Sequence, residues 1–234
     1  MRAMGNRRRD RGPNCRGATA AAENVAARGY PVRARGGRPV SKPVIRPARK
    51  DESRSIAELF EIASDGVASY IWSTLQADYP GLPLLEIGRR RYERESTAFS
   101  YQNCLMAEDQ GEVLGMMHAF AVEAASAPSP SPRPVDPVLT PYSELEAPGT
   151  LYIAAIAIWP AFRNHGVGRR FLGAARARAQ SLGRRELSLL CFAGNTGARR
   201  FYDRAGFVVV DWRPVVPHAM IRHTGDVLLM LAPV

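Results

Sequence analysis

The chain has 234 residues, 46% of them hydrophobic, which is enough for one domain with a real core; no apolar run approaches the ~20 residues that a membrane helix needs. Its 32 Lys and Arg against 22 Asp and Glu give a charge of +10, but residues 1–50 hold 14 of the former and 2 of the latter, which leaves 18 against 20, or −2, for the rest. A basic active domain is therefore not implied. Cys15, Cys104 and Cys191 lie far apart, with neither a paired nor a metal-ligand spacing. With no apolar run after Met1 either, a soluble cytoplasmic protein is expected, with no metal and no membrane partner.

Residues 1–43 are rich in Arg, Gly, Ala and Pro, include Arg7-Arg8-Arg9 and Arg33-Ala34-Arg35, and show no sustained apolar period. Such a segment buries too little surface to offset its ordering entropy, so a disordered basic tail is expected ahead of a domain over 44–234. Its charge suits nucleic acid or another polyanion; with Tyr30 its only aromatic residue, base stacking is not expected. An Arg-rich, acid-poor organelle presequence is a lesser alternative.

Val44 to Ala48 reads as the opening strand, ended by Pro47. Asp51-Glu52-Ser53 supplies helix-start groups. Ile56, Leu59, Phe60 and Ala63 then recur at spacings of three and four, an amphipathic helix that Gly66 breaks. Val67 to Leu75 is a further helix, 78–83 a Pro-Gly loop, and Leu84 to Glu95 a short helix with a charged face. Phe99 to Ala107 is the next predicted strand. Glu108-Asp109-Gln110-Gly111 is a hairpin turn, and Glu112 to Phe120 returns, with Met116 and Met117 as core filling. From Ala124 to Gly149 runs a loop with seven prolines, a length that usually marks function or disorder.

Leu151 to Ile158 is the most apolar strand, suited to cover on both faces. The helix from Val167 to Leu182 carries Leu172, Ala175, Ala179 and Leu182 on one stripe and stops at Gly183. Glu186 to Phe192 is a strand in which Cys191 reads as a small buried residue. Asn195 to Ala205 is a short helix ended by Gly206, followed by strands at Phe207 to Trp212 and Val227 to Leu231, with His218 and His223 in the loop between them. The alternation of strand and helix after a hairpin indicates an α/β layered domain.

Between the most apolar strand and its helix stands Arg163-Asn164-His165-Gly166-Val167-Gly168-Arg169-Arg170. The first N–H groups of a helix lack internal partners, and with the helix dipole they form an anion site that glycine lets a phosphate approach. A P-loop would need Lys and then Ser or Thr after the last glycine, where Arg169 and Arg170 stand; a dinucleotide fingerprint would need a third glycine, where Phe171 stands. Arg-x-x-Gly-x-Gly, from Arg163, Gly166 and Gly168, is the form that fits. Asn195-x-x-Ala198-x-x-Phe201-Tyr202-x-x-x-Gly206-Phe207 begins 27 residues after Gly168, a gap that one helix and one strand fill. With both motifs in order, the chain resembles the GNAT superfamily of N-acetyltransferases over roughly residues 44–231. Asn164 and His165 depart from its usual glycine and its common Arg or Lys.

The resemblance implies a mixed, mostly antiparallel sheet of about six to seven strands, flanked by helices, with splayed central strands that admit acetyl-CoA. It implies that the backbone of Ile156, Ala157 and Ile158 pairs with the pantetheine arm, and that one N–H there stabilises the oxyanion. The main chain from His165 through Gly166, Val167 and Gly168 to Arg169 would hold the pyrophosphate, with Arg163 adding charge. Asn195 would position the cofactor, and Tyr202 would serve the departing sulfur. A phenol near pKa 10 is a weaker acid than a thiol near 8.5, so complete proton transfer is uphill by about 2 kcal/mol and hydrogen bonding alone would also serve. The proline-rich loop would form a flap over the acceptor pocket. An amine acceptor is expected, its identity unread; Glu144, Glu146, His118 and Tyr152 are within reach of a base role that no residue claims. Exposed strand edges suit a homodimer. Two rival readings stay open: a coenzyme A sensor without turnover, and a nucleic-acid or ribosome-associated module that acts through its tail.

Overall fold

Seven strands form one sheet in the order β1-β2-β3-β4-β5-β7-β6. They are β1 Val44–Pro47, β2 Cys104–Asp109, β3 Glu112–Ala121, β4 Leu151–Ile158, β5 Glu186–Phe192, β6 Val208–Pro214 and β7 Asp226–Pro233. The computed structural model describes residues 43–123 and 135–234. The expectations for the basic tail and for the first part of the proline-rich loop lie outside these residues. Every strand pair is antiparallel except β4 with β5. No helix among the described residues is long and apolar enough to cross a membrane.

The helices α1 Ser53–Ser64, α2 Val67–Thr74 and α3 Leu84–Glu93 precede the hairpin. They cover one face of the sheet: Ile56, Leu59, Trp72 and Ile87 pack on Met106, Met116, Ala155 and Ala157. The single turn α4 Thr140–Ser143 leads into β4, and α5 Val167–Ser181 and α6 Thr196–Asp203 follow β4 and β5. The predicted stripe of α5 is buried at Leu172, Ala175 and Ala179, against Met117, Ile153 and Leu189 on the opposite face of the sheet. Leu182 falls just past the helix and is exposed.

Two predicted boundaries are corrected. The strand expected from Phe99 begins only at Cys104, because Ser100 Oγ accepts from the Gln102 N–H and Asn103 Nδ2 donates to the carbonyls of Thr97 and Ala98, coiling this stretch into a 3-10 turn at Tyr101–Asn103. The hairpin turn is shorter than Glu108–Gly111. The strands run to Asp109 and from Glu112, and Gln110 and Gly111 both take positive φ, 50° and 80°, as a two-residue hairpin of this twist requires.

Between α1 and α2 the chain turns sharply through Asp65 at φ 50° and Gly66 at φ 100°. A Cβ on Gly66 would lie 1.8 Å from the Met220 carbonyl oxygen, so only glycine lets this corner seat on the loop between β6 and β7. The Arg222 N–H donates to the Asp65 carbonyl at 2.9 Å across the same junction.

Candidate active site

The site begins where β4 leaves β5. The two strands pair in parallel at Leu151, Tyr152 and Ile153 and no further. On its other side β4 pairs Ile153 with Ala119 and Ala155 with His118, so Ala154 is an extra, bulged residue. A bulge bends its strand and raises the local twist. It also reverses the faces: Ile153 joins the core under α5, whereas Ala155 and Ala157 join the core under α1. Beyond Ala154 the strands splay, and a cleft of about 1450 Å³ opens between them, reached by Ile156, Ala157 and Ile158 from β4 and by Cys191 and Phe192 from β5. The β4 main chain has no strand partner on that side.

The glycine bend closes one end of the cleft. Asn164 at φ 65° and Gly166 at φ 77° turn the chain into α5, whose start has no side-chain cap. The amides of Val167, Gly168 and Arg169 have no hydrogen-bond partner among the described residues, and all three residues line the cleft. A Cβ on Gly168 would sit 3.0 Å from the Phe201 ring, so a larger residue there would press on that ring. Arg163 lines the cleft, and its Nε donates to the Ile158 carbonyl at 3.2 Å, which ties the bend to the end of β4. The ring of His165 turns back, with Nδ1 2.8 Å from the Arg163 carbonyl, and does not line the cleft. Arg204, which the sequence did not single out, does line it.

Asn195 lies on the cleft with its side chain committed internally. Its Oδ1 accepts the Ala198 N–H at 3.1 Å and caps α6, and its Nδ2 donates to Asp65 Oδ2 at 3.2 Å. Tyr202, in the last turn of α6, also lines the cleft and packs edge-on against Phe207. Burial raises its pKa above the ordinary phenol value, and Cys191 and Tyr152 nearby add to the shift. Its hydroxyl therefore stays protonated, and it has no hydrogen-bond partner among the described residues. Burial likewise pushes the Cys191 thiol up to about 11.

The four residues considered as bases separate cleanly. Glu144 pairs with Arg213 Nε at 3.0 Å and does not line the cleft. His118 is fully buried among aromatic rings, and burial pushes its pKa down to about 3. Glu146 and Tyr152 do line the cleft, as do Leu139 and Tyr142 from the described part of the proline-rich loop. Three further polar groups share this cleft without having been foreseen: Asp65, Arg222 and His223. Asp65 Oδ2 accepts from both Asn195 Nδ2 and His223 Nε2, the latter at 3.1 Å. With the Asp65 carboxylate as acceptor, Nε2 is the donating nitrogen of this contact, and Nδ1 has no hydrogen-bond partner among the described residues. Gly194 provides the room, since a Cβ there would lie 3.2 Å from Nδ1.

The model of the acetyltransferase (GNAT) family matches residues 68–207. Among solved structures, an N-acetyltransferase from Staphylococcus aureus Mu50 is similar at 17% identity and TM-score 0.54, covering 81% of this chain and 100% of that one. The ribosomal-protein-S18-alanine N-acetyltransferase from Escherichia coli is similar at 14% identity and TM-score 0.53, covering 82% and 94%. At these identities the likeness is one of fold. No curated protein matches the sequence.

Proposed function

Because the chain belongs to the GNAT family of acetyltransferases, we propose that it transfers the acetyl group of acetyl-CoA to an amine by direct attack on the thioester. The observation that carries this reading is the parting of β4 from β5 after three residue pairs, with the uncapped start of α5 opening onto the same cleft. Acetyl-CoA, when bound, supplies the activated acyl group; this chain supplies position, polarity and a path for one proton.

The free amides from the His165–Arg169 bend hold the pyrophosphate, aided by the α5 dipole and by the charges of Arg163 and Arg204. The unpaired edge of Ile156, Ala157 and Ile158 takes the pantetheine arm as an added strand, and one N–H of this edge polarises the thioester carbonyl. Asn195 acts through Asp65 and the α6 cap, holding the acceptor-side wall in register. Tyr202 donates a hydrogen bond to the departing sulfur. Its raised pKa makes complete proton transfer costlier than for an ordinary phenol, so donation rather than transfer is its role. His223 Nδ1, oriented by Asp65, receives the proton of the attacking amine.

The test is thiol release from acetyl-CoA in the presence of a panel of amines, with mass spectrometry of the products. An acetylated amine formed at a rate proportional to enzyme supports the reading. Coenzyme A binding without any amine acetylated would support a sensor instead.

A further inference from the structure

Tyr152, Phe120, Phe99 and Phe60 all line the cleft, and they form an unbroken relay of edge-to-face rings. Ring centroids are 5.5 Å apart for Tyr152 and Phe120, 5.6 Å for Phe120 and Phe99, and 6.0 Å for Phe99 and Phe60. The relay begins at Tyr152, which lines the same cleft as Tyr202. From Phe120 on β3 it passes to Phe99, ahead of β2, and ends at Phe60 on α1. We propose that this wall is the acceptor subsite and that the acceptor is a primary amine joined by a short linker to an aromatic or comparably bulky apolar group.

Three features support this chemistry. The wall is rigid: His118 stacks behind Phe99 with centroids 5.3 Å apart and planes 16° apart, and meets Phe60 and Phe120 edge-on. Burial keeps the His118 ring uncharged, and the one cation stacked on the wall, the Arg91 guanidinium 4.7 Å from the Phe99 ring centroid, would repel a polycationic acceptor. Aromatic pairs favour these tilted contacts, and an entering ring would extend the relay by one member. Acids for a polycationic acceptor are also scarce. Asp65 is engaged by Asn195 and His223 and lies 3.9 Å from Arg222, which leaves Glu146 as the other carboxylate on the cleft.

The inference rests on the transfer reading above, and the experiment separates the two. The full chain is assayed with acetyl-CoA and, in turn, 2-phenylethylamine, ethylamine, spermidine and a short peptide beginning with alanine. The expected result is a kcat/KM for 2-phenylethylamine at least about tenfold above each of the others. Phe99→Leu and Phe120→Leu, checked for unaltered thermal unfolding, should lower kcat/KM for 2-phenylethylamine about tenfold more than for ethylamine. A preference for spermidine or the peptide, or equal losses for both monoamines, would overturn the assignment of the wall. A chain inert with all four amines while still binding acetyl-CoA would contradict the transfer reading itself and remove this inference with it.

Discussion

Asp65 Oδ2 lies 3.1 Å from His223 Nε2, a contact between groups 158 positions apart in sequence. It joins the corner between α1 and α2 to the loop before β7, and it engages Nε2 while Nδ1 has no hydrogen-bond partner among the described residues. His223→Ala should lower the turnover of an amine acceptor about a hundredfold while leaving acetyl-CoA affinity within threefold of the parent, and imidazole added to the buffer should restore part of the rate. An unaltered rate in steady-state assays would remove His223 from the proton path.

Tyr202 has a protonated hydroxyl with no partner among the described residues. Tyr202→Phe keeps the ring packing on Phe201 and Phe207 and loses only the donor. At saturating acceptor, kcat should fall by about ten- to a hundredfold with KM for acetyl-CoA nearly constant, the mark of an interaction made in the transition state. Stopped-flow detection of thiol release would show whether the loss lies in the chemical step.

Two glycines should respond oppositely to the same substitution. Gly173 is an exposed position inside α5 with open space around its Cβ site, so Gly173→Ala should raise stability by about 0.5–1 kcal/mol. Gly66→Ala meets the Met220 carbonyl at a φ of 100° and should cost about 3 kcal/mol. Urea denaturation of the two variants measures both.

Glu52 provides the acid dependence. Burial alone would raise its pKa. The Arg46 hydrogen bonds, the Arg49 N–H and the charges of both arginines outweigh that and hold it below the ordinary carboxylate value. Because the folded value is the lower one, its contribution is complete above the unfolded pKa of about 4.3 and is lost as pH falls through the folded value. Glu52→Gln should destabilise the protein by about 2 kcal/mol at pH 7. That difference should shrink as the pH is lowered below 4, as read from denaturation midpoints at each pH.

Much of this architecture was legible in the sequence, because its periodicities are local. The apolar run of β4, the stripe of α5 and the glycines that end or open helices each act within a few residues. Phe99–Asn103 misled because side-chain bonds from Ser100 and Asn103 outcompete a strand ladder, and apolar content does not reveal them. The bulge at Ala154 left no mark, since alanine between Ile153 and Ala155 reads as any strand residue; only pairing with β3 shows it. In the sequence, Asp65 carries no role beside Gly66, which alone reads as the helix stop, and His223 reads as a loop residue. Their meeting is a tertiary fact that one chain, read in order, does not contain.

The central claim is that the glycine bend and the parted strands bind acetyl-CoA, and isothermal titration calorimetry tests it most directly. The account predicts saturable binding of one acetyl-CoA per chain to the parent protein, weakened at least tenfold in Gly166→Val, whose backbone at φ 77° a β-branched residue cannot hold. No heat of binding in the parent, or equal affinity in the variant, would contradict it.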